Sequence, residues 1–325
     1  MWRLKFTNNL KNRKEILPYL GYGKENTIKI MGSAFYERRL NDSRINDSNW
    51  TNAKRMIRLF HQRPVAHEEV LISFNGHSKK VITDDRGYFE TELNFDTAIG
   101  VGYHHVQYSL LGQLPNPVTA HGKCLVVDSN STLGIISDID DTIVTSHAYG
   151  FSKKIRTALF NNAHTRETNT GIVSFYKELH THGGPFFYVS SSERNMYGYW
   201  MNFLKTNGFP IGPLLLKELK YGIKDLILTG KGKHNHKYEK ITHILNFYPF
   251  LSFILVGDNG QEDVEIYHSV VLDFPHRIKG IIIVPTLQKS LDRDIVADCK
   301  KYNVDILTID DGKESLNTAL KELCL

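Results

Sequence analysis

A short apolar run, Gly134-Ile-Ile-Ser137, leads directly into Asp138-Ile-Asp140-Asp141-Thr142. Three carboxylates therefore crowd into four positions at the end of a segment that reads as a buried strand. At an effective dielectric near 20, each like-charge pair about 4 Å apart costs roughly 4 kcal/mol, which a solvated turn avoids and a packed strand end does not. A hard divalent cation with oxygen ligands relieves that repulsion; an exposed acidic turn is the plainer alternative. A second acidic segment, Gly257-Asp-Asn-Gly-Gln-Glu-Asp263, follows the run Phe253-Ile-Leu-Val256, so Asp258 can complete an oxygen-rich site with Asp138. Glycines at 257 and 260 suit a backbone that turns sharply and comes close to other groups. Ser190-Ser-Ser192 ends a third run and offers hydroxyls, with helix-start amides beyond them, to an anion. Lys237 opens a helix, where an ammonium works against the macrodipole; pairing with a carboxylate or phosphate competes there with a plain solvated role.

Residues so far apart in sequence need a scaffold that gathers strand ends. From Leu133 onward, apolar strand-like runs alternate with amphipathic helices, which predicts a doubly wound parallel sheet with helices on both faces. Strands are expected at 134–137, 186–190, 214–216, 253–256, 280–284 and 305–308. Ile172, Phe175, Tyr176 and Leu179 form a helical stripe that stops at Gly183-Gly184-Pro185, and further helices are expected over 195–206 and 238–247. In such a sheet ligands bind outside the carboxyl ends of the strands, where these acidic segments lie.

Upstream, residues from about 27 to 127 read mainly as β. Thr27-Ile-Lys-Ile-Met-Gly32, Val70-Leu-Ile-Ser-Phe74, Gly87 to Leu93 and His105 to Leu110 are short β-branched or aromatic runs divided by turn residues, a pattern that predicts a small sandwich. Asp84-Asp-Arg-Gly87 has the chemistry of a tight turn, so its carboxylates are read as turn formers. Trp50, Ala53, Met56, Ile57 and Phe60 recur at helical spacing. The polar segment Asp128 to Thr132 marks the boundary between a β-rich domain, residues 1–131, and an α/β domain, residues 132–325.

Composition narrows the function. A chain of 325 residues with 41% apolar and 23% charged residues is an ordinary globular protein, and its longest apolar runs fall well short of the ~20 residues of a membrane helix. The amino-terminal residues lack the apolar core of a secretory signal, so a cytoplasmic address is expected. Cys124, Cys299 and Cys324 are too few and too dispersed for a disulfide framework. The net charge of +5 is mild, and no concentrated basic face interleaved with aromatics argues for nucleic-acid binding. Lys217, Lys220, Lys224, Lys231, Lys233 and His234 form a basic stretch that either faces an anionic membrane or solubilises a loop. His234 and His236 have the spacing of paired ligands, but in a polar loop a surface or substrate contact is the simpler reading.

The order Asp-x-Asp-x-Thr, serine, lysine, Gly-Asp-x-x-x-x-Asp resembles the haloacid dehalogenase superfamily of phosphotransferases. More narrowly, Ile136 to Ile143, Phe187-Tyr-Val-Ser190, Asn207 to Leu216, His236-Lys237 and Gly257 to Tyr267 are similar to the actin-patch-protein type of phosphatidate phosphatase, over roughly residues 133–284. Weaker echoes lie in Gly21-Tyr-Gly23 and Ile30-Met-Gly32. One departure stands out: Ser191-Ser-Glu-Arg-Asn195 replaces the family's Asn-Ser-Pro-Trp, at the place of the headgroup contacts. The resemblance implies a haloacid-dehalogenase-like catalytic domain in which Asp138 is the nucleophile, Asp140 the general acid and base, and Thr142 the residue that orients the loop. It implies that Ser190, with Ser191 beside it, and Lys237 hold the phosphoryl group. Asp138, the Asp140 carbonyl and Asp258 would ligate Mg2+, with Asp263 supporting them. The expected substrate is phosphatidate, met at a membrane surface by a peripheral cytoplasmic enzyme. A soluble phosphate ester, a metal-dependent glycosyl transfer and a catalytically silent scaffold are the alternatives.

Overall fold

The structure, a computed structural model, describes residues 13–36, 63–112, 117–139, 170–182, 184–218, 235–259, 262–285 and 290–309. These divide into two compact units at Val126/Val127. The predicted helix around Trp50 to Phe60 lies outside the described residues.

The first unit is built from β1 (Lys14–Pro18), β2 (Gly21–Lys24), β3 (Thr27–Tyr36), β4 (Glu69–Phe74), β5 (His77–Ile82), β6 (Tyr88–Asn94), β7 (Gly102–Leu110) and β8 (Val118–Val126). Their ladders join into one sheet in the order β1-β3-β2-β8-β7-β4-β5, with β6 also paired to β3. Alternation sets the core face: Val70, Ile72 and Phe74 of β4 lie inward beside Val106, Tyr108 and Leu110 of β7, with Val70 opposite Leu110 and Ile72 opposite Tyr108. The sheet coils strongly enough that β5 and β6, separated along the sheet path, meet: Lys79 donates to the Glu92 carbonyl at 2.9 Å. Asn75-Gly76, both at positive φ, close the two-residue β4–β5 hairpin. Asp84 Oδ1 accepts from the amides of Arg86 and Tyr88 at 2.8 Å each, so this carboxylate is a turn former as its sequence suggests.

The second unit holds β9 (Leu133–Asp138), β10 (Phe186–Glu193), β11 (Leu214–Lys217), β12 (Ser252–Asp258), β13 (Ile278–Val284) and β14 (Asp305–Thr308). Between and after them come α1 (Thr170–Thr181), α2 (Tyr197–Asn207), α3 (Asn235–Phe247), α4 (Asp263–Asp273) and α5 (Arg293–Lys301). All pairings are parallel, in the order β11-β10-β9-β12-β13-β14. Burial on both faces explains the near-continuous apolar strands, such as Phe253 to Val256 and Ile281 to Ile283. The chain builds outward from β9 on one side, then resumes at β12 on the other. The crevice between the carboxyl ends of β9 and β12 is therefore the switch point of the sheet, the position at which open α/β sheets bind ligands.

Two elements differ from the sequence expectation. β10 runs three residues past Ser190 to Glu193, with its register against β11 shifting between Val189 and Glu193. The next helix consequently begins at Tyr197, after a 3-10 turn over Arg194–Met196, and Ser191 and Ser192 belong to the strand, not to a helix start. Among the described residues no helix is long and apolar enough to cross a membrane. Cys124 and Cys299 are buried, and burial pushes their thiols up to about 12 and about 11, which suits packing rather than reactivity.

Candidate active site

Asp138 is the last residue of β9 and Asp258 the last of β12. The two strands are hydrogen-bonded neighbours, with Val256 opposite Ser137, so adjacent strand ends deliver both carboxylates to the switch point. Asp263 arrives from the first residue of α4 and Lys237 from the first turn of α3. A carboxylate at a helix start is favoured by the macrodipole, whereas the lysine is opposed by it and must be held by something stronger. Lys237 Nζ stands 2.8 Å from Asp138 Oδ1 and 2.6 Å from Asp263 Oδ1, with all three side chains buried. Asp263 uses its other oxygen to accept the Asp258 amide at 3.3 Å. One carboxylate therefore fixes both the lysine and the backbone of the second strand end.

Burial disfavours the ammonium of Lys237, but the charges of Asp138 and Asp263 outweigh it and hold the group above its ordinary value, so it is protonated at neutral pH. For Asp263 burial dominates: it raises the carboxyl, with Asp258 adding to the rise and Lys237 opposing it. Asp138, Asp258 and Asp263 bring one carboxylate oxygen each within 4.8 Å of one another. Among the described residues, these three carboxylates outnumber the Lys237 ammonium in a buried space. An all-oxygen, over-anionic, buried donor set fits a hard divalent cation of the magnesium type.

The surroundings explain why these residue types occur where they do. A Cβ on Gly257 would lie 2.7 Å from Asp263 Oδ2 and 2.7 Å from the Tyr267 hydroxyl, so only glycine lets α4 close on the strand end. Tyr267 donates to the Val256 carbonyl at 2.9 Å. On the other side Ser137 Oγ donates to the Asp138 carbonyl at 2.6 Å and lies 2.7 Å from the Tyr176 hydroxyl. Sequence reasoning read Tyr176 only as part of an apolar stripe and did not single out Ser137 or Tyr267. The signal was there for Tyr267, which follows Asp263 at helical i,i+4 spacing and so shares its face.

Ser190 is buried in β10, one residue beyond Val189, the register partner of Asp138. Its Oγ accepts the Ser192 amide at 2.9 Å. Ser191 is exposed on the same strand. Asp140, Asp141 and Thr142 lie outside the described residues, as do His234 and the lysines at 220, 224, 231 and 233. Asp138, Lys237, Asp258 and Asp263 are thus the expected site residues whose contacts bring them together.

The fold and the site define a parallel α/β domain with a buried carboxylate–lysine centre at its switch point. Residues 133–284 match the family described as "Phosphatidate phosphatase APP1, catalytic domain". The chain is 35% identical over 156 residues to "Phosphatidate phosphatase APP1" of Saccharomyces cerevisiae, a match covering 46% of this chain and 25% of that protein. It is 25% identical over 175 residues to "Uncharacterized protein C29B5.04c" of Schizosaccharomyces pombe, covering 53% of this chain and 27% of that one. The matches thus span about a quarter of the length of these relatives. A solved carbohydrate acetylesterase from Xanthomonas citri aligns over 94% of this chain and 74% of its own, at 12% identity and a TM-score of 0.36, too distant to carry an argument.

Proposed function

We propose that this protein is a magnesium-dependent phosphatase of the haloacid-dehalogenase type that hydrolyses phosphatidate to diacylglycerol through an aspartyl-phosphate on Asp138. The observation that carries the reading is the buried triad in which Lys237 bridges Asp138 and Asp263 while Asp258 stands beside them. The phosphatidate phosphatase activity named for the matched family and for the Saccharomyces cerevisiae relative supports the choice of substrate.

In this mechanism an Asp138 oxygen forms a bond to phosphorus as the bond to the glyceride oxygen breaks, and Asp140 protonates that departing alkoxide. A water deprotonated by Asp140 then attacks the aspartyl-phosphate, releasing phosphate and restoring the Asp138 carboxylate. Lys237 offsets the charge of the phosphate dianion, which Asp138 alone would repel, and Ser190 and Ser191 would donate to the phosphoryl oxygens. Thr142 orients the loop. Asp138, the Asp140 carbonyl and Asp258 would hold the magnesium, with Asp263 fixing Asp258 and Lys237. The ion supplies charge neutralisation of the phosphoryl oxygens. Enzymatic phosphate-monoester hydrolysis can require an acceleration of ~10²¹, while one general acid supplies about 10²–10⁴, so positioning and charge must contribute most.

A cytoplasmic enzyme peripheral to a membrane is the setting in which this substrate is met, and the first unit, a single coiled sheet, is read as its sandwich-like companion domain. A metal and nucleotide-sugar site would account for the paired aspartates of the 138–142 segment but gives the Lys237–Asp263 pair no task. The deciding experiment compares phosphatidate in mixed micelles with soluble phosphomonoesters, with and without magnesium, for the wild type and Asp138→Asn. The expected result is magnesium-dependent turnover that is highest on phosphatidate and abolished in the variant. Near-wild-type turnover by Asp138→Asn would sink the mechanism, and a soluble ester turned over best would replace the substrate.

A further inference from the structure

The ladder between β9 and β12 ends before it reaches the two carboxylates, with Ser137 opposite Val256 as its last rung. Beyond that rung each strand continues against its outer neighbour: Asp138 lies opposite Val189 of β10, and Asp258 opposite Val284 of β13. The spacing of Asp138 and Asp258 is therefore not set by a rung between them. It depends on what holds each strand end.

On the β12 side the hold comes from one face of α4. Tyr267 donates to the Val256 carbonyl at 2.9 Å, and Asp263, one turn earlier, accepts the Asp258 amide at 3.3 Å. Two side chains of a single helix thus grip residues 256 and 258, on either side of Gly257. Only glycine fits between them, since a Cβ there would lie 2.7 Å from both the Tyr267 hydroxyl and Asp263 Oδ2. Tyr267, Asp263 and Asp258 are all buried, so solvent competes little for these bonds and the strand end has little room to swing.

We propose that Tyr267 is a positioning residue for the metal centre: by holding the Val256 carbonyl it fixes Asp258 tightly enough to raise the affinity for magnesium relative to calcium. The inference rests on the reading of this centre as a magnesium site. Magnesium requires near-octahedral oxygens at about 2.0–2.1 Å, whereas calcium accepts longer contacts of about 2.3–2.6 Å in a flexible geometry. A clamped carboxylate suits the smaller ion, and a loosened one gives that advantage up. Tyr267 acts here through the backbone of β12, two residues before the carboxylate.

The test titrates the full chain, freed of metal by a chelator, with magnesium and with calcium by calorimetry. Groups that hold metal ligands in place are typically worth ~10–100-fold in metal affinity. Because Tyr267 acts at one further remove, Tyr267→Phe should lower the ratio of magnesium to calcium affinity by about tenfold, chiefly by weakening magnesium. Tyr188→Phe is the control: it removes another buried phenol-to-carbonyl bond, the one to Pro210 at 2.8 Å, and should leave the ratio unchanged. Circular dichroism checks the fold of each variant. If Tyr267→Phe does not fold, Gly257→Ala, which crowds the same clamp from the backbone side, is read in its place by the same criteria. An unchanged ratio in Tyr267→Phe, or an equal fall in Tyr188→Phe, overturns the role of Tyr267 and leaves the phosphatase reading standing. A wild-type chain that binds no magnesium overturns the metal reading along with it.

Discussion

The Tyr176 hydroxyl lies 2.7 Å from Ser137 Oγ, one residue before the strand-end carboxylate of Asp138. Ser137 has one hydroxyl hydrogen, and it goes to the Asp138 carbonyl at 2.6 Å. Tyr176 must then be the donor to Ser137. Burial first, with the Asp138 charge adding to it, raises the Tyr176 phenol and outweighs the opposing bond to Ser137, so that proton stays in place at all working pH values. A directed chain of hydrogen bonds thus runs from α1 to the backbone of β9.

Removing its outer end should have a measurable cost. Tyr176→Phe is expected to lower stability by about 1 kcal/mol, the usual net worth of one buried hydrogen bond. It should also lower kcat several-fold with KM little changed, because the strand end loses rigidity but no substrate contact. Urea unfolding and steady-state kinetics check this; an equal rise in KM would mean that Tyr176 shapes binding and does not position Asp138.

The Lys237–Asp263 pair should show strong coupling. Lys237→Met leaves buried carboxylates uncompensated and should destabilise the protein by roughly 3–5 kcal/mol. Adding Asp263→Asn should restore part of that loss, since one of the stranded charges is gone. A double-mutant cycle by chemical denaturation measures it. Simple additivity of the two changes would show that the pair acts independently, against the geometry.

Magnesium should stabilise the fold by mass action. At a free concentration of about a hundred times Kd, the gain is roughly 2.7 kcal/mol, visible as a higher Tm. Asp258→Asn should remove the magnesium-dependent part of the shift, and chelation should reverse it in the wild type. Thermal scans with and without the ion suffice; an undiminished shift in the variant would take Asp258 out of the ligand set.

Asp140 has two tasks in the proposed mechanism, and they separate. A nitrophenyl ester leaves as a stabilised anion and needs little protonation, whereas an alkyl ester needs the acid. Asp140→Asn should therefore give a burst of about one product per site with the aryl ester, then stall for want of a base. With phosphatidate the burst itself should be slowed, by the ~10²–10⁴ typical of general acid catalysis. Rapid-quench kinetics distinguish the two. Equal loss of both bursts with magnesium still bound would show that Asp140 is structural.

Much of the second unit was legible in the chain because its signals are local. Apolar runs such as Phe253 to Val256 read as strands since burial on both faces removes any polar alternation. Gly257 and the spacing to Asp263 marked a close approach because only glycine tolerates it. The resemblance that these motifs carry pointed to the family that residues 133–284 match. Elsewhere local signals ran out. The triple serine looked like a strand end, yet β10 continues to Glu193, because its pairing with β11 resumes after the register shift.

Pairings across the fold belong to no window of sequence. That Lys237 meets Asp263 rather than solvent depends on α3 and α4 reaching the same switch point, and that depends on the order in which six strands line up. Tyr176 read as one more apolar residue because periodicity reports which side of a helix is buried, not what a hydroxyl on that side finds. By itself the sequence determined which residues could do chemistry and which segments would be strands and helices, since side-chain type and period act over a few residues. Only the tertiary structure decided which charges share one buried space, because Coulomb and hydrogen-bond energies depend on distance through the fold and not along the chain.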